Sequence, residues 1–566
     1  MREGSLSQGT SRLENLNIVS DVDGSDQPYA LYLPRRWNRK KAYPLVVSLH
    51  GAGTNHRINM RRVLGLESDP ECAGAFADWH LPIKCPNHIV VCPFARGSMG
   101  YQGIAERDVY QVLADVQKRH HIDPDRIYLT GLSMGGGGAL WLGLTRPDVW
   151  AAVAAVAPKC VLPMTWELAP NALNLPIRFF QGARDLRSCV EHTRTLVKRL
   201  RDLKTEVIDY TEYPEVGIPS WENAYKEGAV FDWFQQFRRN RYPLKVRFQS
   251  TCYKYGSAYW VRFTRLESGV LAKIDAEFVG SNDIEVTTEE LSCFALNLDG
   301  HPLYSREYPL HITIDGEEHW TKDLSFNKEG RRWKIGQAER LSGQKGLGSE
   351  GPICEAFAGR HVYVFGTADN PSPEQLEGRR SQAAIAAGWK NAAWQLILGS
   401  LLSSVAPPDV FFPVISDRQA ARSEYRRHNL ILFGNGKTNS VIAGLAERLP
   451  IELRPDAADY GLIFVQFIDG RYVVVNSGTP WWTGANPSKR SGFAFLSLEH
   501  GVLNTFPDFL LFKGSLDNVI VEGWFDENWA LTSRDIAKIN HDGACVIPER
   551  RTPVSVHAES LQTARE

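Results

Sequence analysis

The feature that most constrains this chain is a strand, a glycine–serine turn and a helix start in immediate succession. The apolar run RIYLT (126–130) leads into Gly131-Leu132-Ser133-Met134-Gly135, and GGGALWLGL follows directly. A backbone can pass from extended strand to helix across one residue only where small residues flank the reversal, because a side chain there would meet the returning chain. The turn therefore calls for a buried strand with a helix laid back on its sheet, an α/β layered core. It would also lift the Ser133 hydroxyl above the sheet, beside a helix N-terminus that favours developing negative charge.

The surrounding pattern fits that core. From 20 to 240, short apolar runs alternate with amphipathic stretches. Strands are expected at Tyr29–Leu33, Leu45–Leu49, Ile89–Cys92, Arg126–Thr130 and Ile177–Gln181, with helices at Glu106–Arg119 and Ser188–Leu203. The run YPLVVSLHGAG is nearly continuous, as for a central strand covered on both faces. From 243 to 342 the pattern becomes period-2 alternation broken by SND, LDG and DGE, which predicts an all-β sandwich-like domain; Asn282-Asp283 and Asp299-Gly300 read as turns. After glycine-rich GQKGLGSEG, residues 343–545 predict a doubly wound, Rossmann- or flavodoxin-like domain with helices at Ser381–Ser403 and Thr438–Arg448. Residues 1–19 are expected to be a flexible N-terminus, and 546–566 a polar, disordered tail. At 566 residues, three domains are the natural division.

Composition excludes several roles. Formal net charge is −1, and no basic run interleaves with aromatics, so nucleic acid is not an expected partner. No apolar stretch reaches membrane-spanning length. The N-terminus lacks the apolar core of a secretory signal, which makes the cytoplasm the expected location, with a processed secreted form as the alternative. The nine cysteines lack CxxC or metal spacing and are read as buried free thiols, Cys85 and Cys92 being the pair to check. Neither a metal nor a cofactor is implied.

The candidate site grows outward from Ser133. His50-Gly51-Ala52-Gly53 ends an expected strand, where a loop donating N–H groups to an oxyanion belongs, so Gly51, Ala52 and Met134 are the candidate donors. IRFFQGARD places Asp185 after a strand as the candidate acid, ahead of Asp209 and Asp232. Glycine-rich FGNGKT (433–438) reads as a strand-to-helix turn rather than a phosphate cradle, and Trp481-Trp482 as interdomain packing rather than a ligand platform.

Residues 28–240 resemble the α/β-hydrolase esterase branch that groups feruloyl esterases, polyhydroxyalkanoate depolymerases and prolyl-oligopeptidase-like hydrolases. The residues that carry the resemblance are HGAG (50–53), DVYQVLADVQKRHHIDPDRIYLTGLSMGG (108–136) and PIRFFQGARD (176–185). It implies acyl transfer on small ester ligands, often of aromatic acids, through Ser133, Asp185 and a histidine. That histidine belongs in the segment Val216-Gly217-Ile218-Pro219-Ser220-Trp221, where this chain has Ile218. Isoleucine neither accepts nor returns a proton. His50 and His56 are the leading surrogates, ahead of His192, His120, His121, His301, His311 and His361. The reading that follows is a carboxylesterase-type serine hydrolase with an atypical or missing base. Its alternatives are a silent hydrolase fold acting as a binding module, and lyase- or cyclase-type chemistry in the same pocket.

Overall fold

The computed structural model describes residues 12–64, 87–159, 162–185, 190–205, 207–217, 219–338, 340–389, 410–484 and 498–548. The first unit is an eight-stranded sheet of β1 (Arg12–Val19), β2 (Asp26–Leu33), β3 (Tyr43–Leu49), β4 (Ile89–Pro93), β5 (Ile122–Leu132), β6 (Ala152–Val156), β7 (Ile177–Gly182) and β8 (Ile208–Tyr213), ordered β1-β2-β4-β3-β5-β6-β7-β8. The β1–β2 and β2–β4 pairs are antiparallel, and every later neighbour is parallel; residues 12–19, expected to be part of a flexible N-terminus, are instead held as β1 by pairing along their whole length with β2. The parallel strands are apolar along their length because helices cover both faces. On one face lie α1 (His56–Leu64) and the short helices Ser220–Ala224 and Ala229–Phe234. On the other lie α2 (Ile104–Arg119), α3 (Met134–Thr145) and α4 (Val190–Asp202).

The β1–β2 turn is fastened to α2 through Arg96, which is 2% exposed. Its Nε donates to Asp108 at 2.5 Å, one terminal nitrogen to Asp23 at 2.6 Å and the other to Ser20 Oγ at 2.6 Å. A buried guanidinium is tolerable here because its N–H groups meet carboxylate and hydroxyl oxygens, which offset the loss of hydration.

Residues 245–335 form two five-stranded sheets. One is ordered β10 (Ser257–Ala258), β11 (Val261–Arg265), β14 (Cys293–Leu296), β17 (Ser325–Glu329), β18 (Arg332–Ile335). The other is ordered β16 (Glu317–Thr321), β15 (Leu310–Ile314), β13 (Asp283–Glu289), β12 (Ala272–Gly280), β9 (Lys245–Ser250). Alternate residues such as Val246, Phe248, Ile274 and Ile312 meet Trp260, Phe263 and Phe294 in a shared core.

The last sheet departs from the doubly wound expectation. It comprises β19 (His361–Phe365), β20 (Val414–Ser416), β21 (Asn429–Phe433), β22 (Tyr460–Ile468), β23 (Arg471–Gly478), β24 (Phe509–Lys513) and β25 (Val519–Gly523), ordered β20-β19-β21-β23-β22-β24-β25. Only β20, β19, β21 and β23 run parallel; β22, β24 and β25 join antiparallel. The cause is local: Asp469 and Gly470 both take positive φ (51° and 79°), making the two-residue turn whose twist suits a hairpin, so β22 and β23 pair directly. The expected helix 381–403 instead begins at α5 (Pro373–Ala387), where Ser372 and Gln375 form a reciprocal capping box; residues 390–403 lie outside the described residues.

The 433–438 turn is filled from within. Asp417 accepts the Ser440 N–H at 2.8 Å and the Thr367 hydroxyl at 2.7 Å, and a Cβ on Gly366 would lie 2.0 Å from the Thr438 carbonyl oxygen. The protein's own carboxylate thus takes the place that a phosphate would need. Trp481 is fully buried against Phe433 and Phe357 of its own unit, so these contacts pack the core of the last unit and not the junction between domains that the sequence suggested.

Lys345, in the glycine-rich stretch, is buried against the last sheet. It ion-pairs with Asp508 and donates to the Phe525 carbonyl at 2.9 Å and to Ser268 Oγ at 2.9 Å. Nearby, Glu350 is 5% exposed; its carboxylate accepts the N–H groups of Tyr253 and Lys254, and its own N–H donates to Tyr472 OH at 2.9 Å. Burial, helped by Glu355, raises Glu350 to about 8, against the opposing pull of the two N–H groups and Lys254.

Two outcomes follow. Between pH 5 and 8 the unfolded chain has released the Glu350 proton while the folded chain retains it, so this group's contribution to stability falls as pH rises. Melting temperatures of wild type and Glu350→Gln across that range should converge toward the acid end and diverge toward pH 8, with the steeper decline in wild type. Second, a Cβ on Gly135 would sit 2.2 Å from the Leu49 carbonyl oxygen. Backbone faces backbone there, so Gly135→Ala should lower stability by about 3 kcal/mol or more in denaturant melts.

Candidate active site

β5 ends at Leu132 and α3 begins at Met134, so Ser133 alone makes the turn. It does so at φ 54°, ψ −114°. A non-glycine residue there is strained, by roughly 1–3 kcal/mol, and persists only where the surroundings dictate it. Those surroundings are the flanking glycines: a Cβ on Gly131 would lie 2.1 Å from the Gly135 carbonyl oxygen, and Gly135 is pressed against the end of β3. The Ser133 N–H donates to Val156 O at 2.9 Å, and its carbonyl accepts the N–H groups of Gly137 at 3.1 Å and Lys159 at 3.0 Å. The serine backbone is therefore held at three points. No hydrogen bond to Ser133 Oγ occurs among the described residues.

The loop after β3 lies alongside. A Cβ on Gly51 would be 3.5 Å from Ser133 Cβ and 2.7 Å from a Leu132 methyl. Thr54 N and Oγ1 both donate to the Gly51 carbonyl, at 3.3 and 2.9 Å, and the Gly53 N–H donates to Ser98 Oγ at 2.8 Å. With Gly53 engaged, the donors this loop can turn toward Ser133 come from Gly51 and Ala52, and Met134 is the first helical residue of α3. Gly51, Met134 and Ser133 are thus brought together.

Asp185 follows β7, two strands from β5 in a parallel array, and so lies at the same edge of the sheet. It is fully buried, and Gln181 Nε2 donates to its Oδ2 at 3.3 Å while Thr193 holds Gln181 at 3.1 Å. The 213–217 segment is bound to the turn that carries Asp185. Ala183 N donates to Tyr213 O and Arg184 N to Val216 O, each at 2.9 Å, and a Cβ on Gly182 would lie 2.1 Å from Gly217 O. Ile218 lies outside the described residues. Trp221, three residues on, is buried beneath the Arg62 guanidinium, 5.6 Å from its ring centroid.

The surrogate histidines are placed otherwise than expected. Both ring nitrogens of His50 meet main-chain oxygens, Nδ1 with Gly51 O and Nε2 with Phe94 O, each at 2.9 Å. Neither has a lone pair directed at Ser133, and burial lowers its affinity for a proton. His50 pins the loop rather than serving as a base. His56 opens α1, edge-on to Phe94 at 5.8 Å; burial, with His50 and Arg57 nearby, lowers it to about 4, too weak a base for neutral pH. His301 stacks on Phe278 at 4.0 Å and His361 packs against Phe412 at 3.9 Å, each in the core of its own unit. His311 pairs with Asp283 and Trp320, His192 sits on α4, and His120 caps α2 against Trp37; His121 opens the far end of β5.

One ionisable residue in this vicinity had no signal in the sequence. Lys159 follows β6, its N–H bound to the Ser133 carbonyl, and burial lowers its ammonium pKa. Only the pairing of β5 with β6 brings it here. Of the thiols, Cys92 is buried beside Asn59, and Cys252, Cys293, Cys354 and Cys545 are free; Cys72, Cys85, Cys160 and Cys189 lie outside the described residues. No helix of the described residues is long and apolar enough to cross a membrane.

Residues 103–183, from the start of α2 through the Ser133 turn to the end of β7, match the Esterase family model. A bifunctional acetylxylan esterase/xylanase of Neocallimastix patriciarum is 24% identical over 216 residues, 37% of this chain and 29% of that protein. A poly(3-hydroxyalkanoate) depolymerase C of Paucimonas lemoignei is 36% identical over 85 residues, 14% of this chain and 19% of that one. The chain thus spans under a third of the length of both relatives. A solved ferulic acid esterase structure aligns at 19% identity with 40% of this chain and 99% of its own, TM-score 0.33. In the segment 103–183, which carries the serine turn, the N-terminal part of this chain is thus similar to esterases.

Proposed function

We propose that the N-terminal domain is a carboxylic ester hydrolase of small esters in which Ser133 is the nucleophile. The observation that carries this reading is the strained Ser133 conformation at the head of α3 with Gly51 packed beside it. Strain of that kind is retained where a reacting group must be presented. In the proposed reaction Ser133 Oγ attacks the acyl carbon, and the carbonyl oxygen becomes an oxyanion facing the N–H groups of Met134 and of Gly51 or Ala52. Each such donor is worth on the order of 3 kcal/mol in the transition state. Collapse expels the alcohol, and water then releases the acid from Ser133.

The proton carrier is the unusual part. The 213–217 segment is hydrogen-bonded to the turn that carries Asp185, and residue 218, where the resemblance puts the base, is isoleucine in the sequence. Loss of a triad member leaves roughly 10³–10⁴-fold acceleration over water, from the oxyanion donors and binding alone. The Lys159 main chain binds the Ser133 carbonyl and burial lowers its ammonium pKa, which makes this lysine the residue to test as a substitute. The second reading, a silent hydrolase fold that binds without turnover, is favoured by the engagement of both His50 nitrogens.

Labelling by a fluorophosphonate probe tests both. Wild type should label slowly and Ser133→Ala not at all. Ile218→His should accelerate labelling on the order of 10²-fold, the usual contribution of a positioned base. Labelling abolished in Lys159→Met would assign that residue as the carrier. Labelling confined to Ile218→His would overturn the hydrolase reading in favour of the silent one.

A further inference from the structure

Away from Ser133, where the first sheet, the β-sandwich strands and the last sheet converge, lies a cavity of about 740 Å³. That is a common volume for a small-molecule site. Its floor is the side of α2 that carries Glu106 and Gln111, with Arg146 just beyond the end of α3; Lys254 enters from the sandwich and Arg427 from the loop before β21. None of these residues has a part in the proposed hydrolysis.

Four buried polar atoms on this lining have no hydrogen-bond partner: Glu106 Oε1, Tyr110 OH, Gln111 Oε1 and Arg146 Nε. Glu106 is 1% exposed. Its other oxygen accepts both Tyr255 OH at 2.5 Å and Trp141 Nε1 at 3.3 Å, so the carboxylate is fixed in place with one oxygen unused. Arg146 is equally fixed: its guanidinium lies 5.0 Å above the Tyr110 ring and 5.6 Å from that of Tyr255, and it donates to Lys254 O at 3.4 Å. Unsatisfied buried groups are costly, and a set of them around one cavity is what a ligand's own donors and acceptors would complete.

The charges indicate the ligand's sign. Five basic and four acidic side chains line the cavity. Arg107 pairs with Asp21 at 2.6 Å, and Lys254 lies 3.6 Å from Glu106 and 3.5 Å from Glu355. Arg146 and Arg427 have no carboxylate partner among the described residues. Guanidinium groups in that condition suit a carboxylate, whereas Glu106 Oε1 and Gln111 Oε1 call for donors on the same ligand.

We infer that this junction cavity is a second ligand site, built for a small hydroxylated carboxylic acid. Its carboxylate meets Arg146 and Arg427, and its hydroxyls donate to Glu106 and Gln111. The site is independent of Ser133, and its ligand need not be a substrate.

Calorimetric titration of the full chain tests this with gluconate as the probe, and with glucose and butyrate as comparators lacking the charge and the hydroxyls respectively. Gluconate should bind at least about tenfold more tightly than either, and equally well to Ser133→Ala, which excludes turnover at Ser133 as the source of the heat. Arg146→Gln and Gln111→Leu should each weaken it, Arg146→Gln by about tenfold or more. Gln111 is half-buried and its carbonyl oxygen has no partner to lose, so that variant keeps the test open if Arg146→Gln fails to fold. No gluconate heat, unchanged affinity in both variants, or glucose binding as tightly as gluconate would each overturn the inference.

Discussion

The contact on which the site depends is the approach of the glycine-rich start of α3 to the carbonyl ends of β3 and β6. Four main-chain segments meet there with no room for a Cβ: Gly135 against Leu49, Gly136 against Val156, Gly137 against Lys159 and Gly131 against Gly135. Because backbone packs on backbone, the position of Ser133 is set by the sheet itself and not by loop side chains. The strain at Ser133 is sustained by the burial of β3, β5 and β6 on both faces, whose combined stabilisation far exceeds it. A nucleophile position can thus stay intact while residues in the surrounding loops change.

Outside that core the molecule uses buried ionisable groups where a simpler protein would use apolar packing. Arg96 binds the β1–β2 turn to α2, Lys345 joins the glycine-rich stretch to β24 and the sandwich, and Glu350 receives two N–H groups from the turn at Tyr253. Buried pairs of this kind often add little net stability over an apolar replacement, but breaking one leaves an uncompensated charge. Their effect here is to fix register: each network has one arrangement that satisfies its donors, and that arrangement sets how neighbouring elements sit.

Much of the first sheet was legible because its signals are local. RIYLT-GLSMG and IRFFQGARD state strand, turn and functional residue within a dozen positions. Two other local signals were there to be used and would have corrected the last sheet. Asp469-Gly470 between two apolar runs is a hairpin turn, and Ser372-Pro-Glu-Gln375 is a capping box that starts a helix earlier than its apolar pattern suggests. The remainder was not legible for a physical reason. His50 disqualifies itself through a carbonyl 44 positions away, Lys159 reaches the serine turn only through strand pairing, and the junction cavity joins side chains from three separate stretches of the chain. Nothing in the composition or period of any one segment encodes those meetings.

The glycine-rich stretch 343–351 reads in sequence as a linker between domains, yet Lys345 anchors it in the interior and Glu350 clasps the neighbouring turn. Mechanically it is a splice rather than a joint. A splice passes torque from one body to the next without absorbing it, so the sandwich and the last sheet should rotate together or not at all. The walls of the space between them are accordingly held at a fixed spacing before any molecule enters, and little ordering remains to be done on binding.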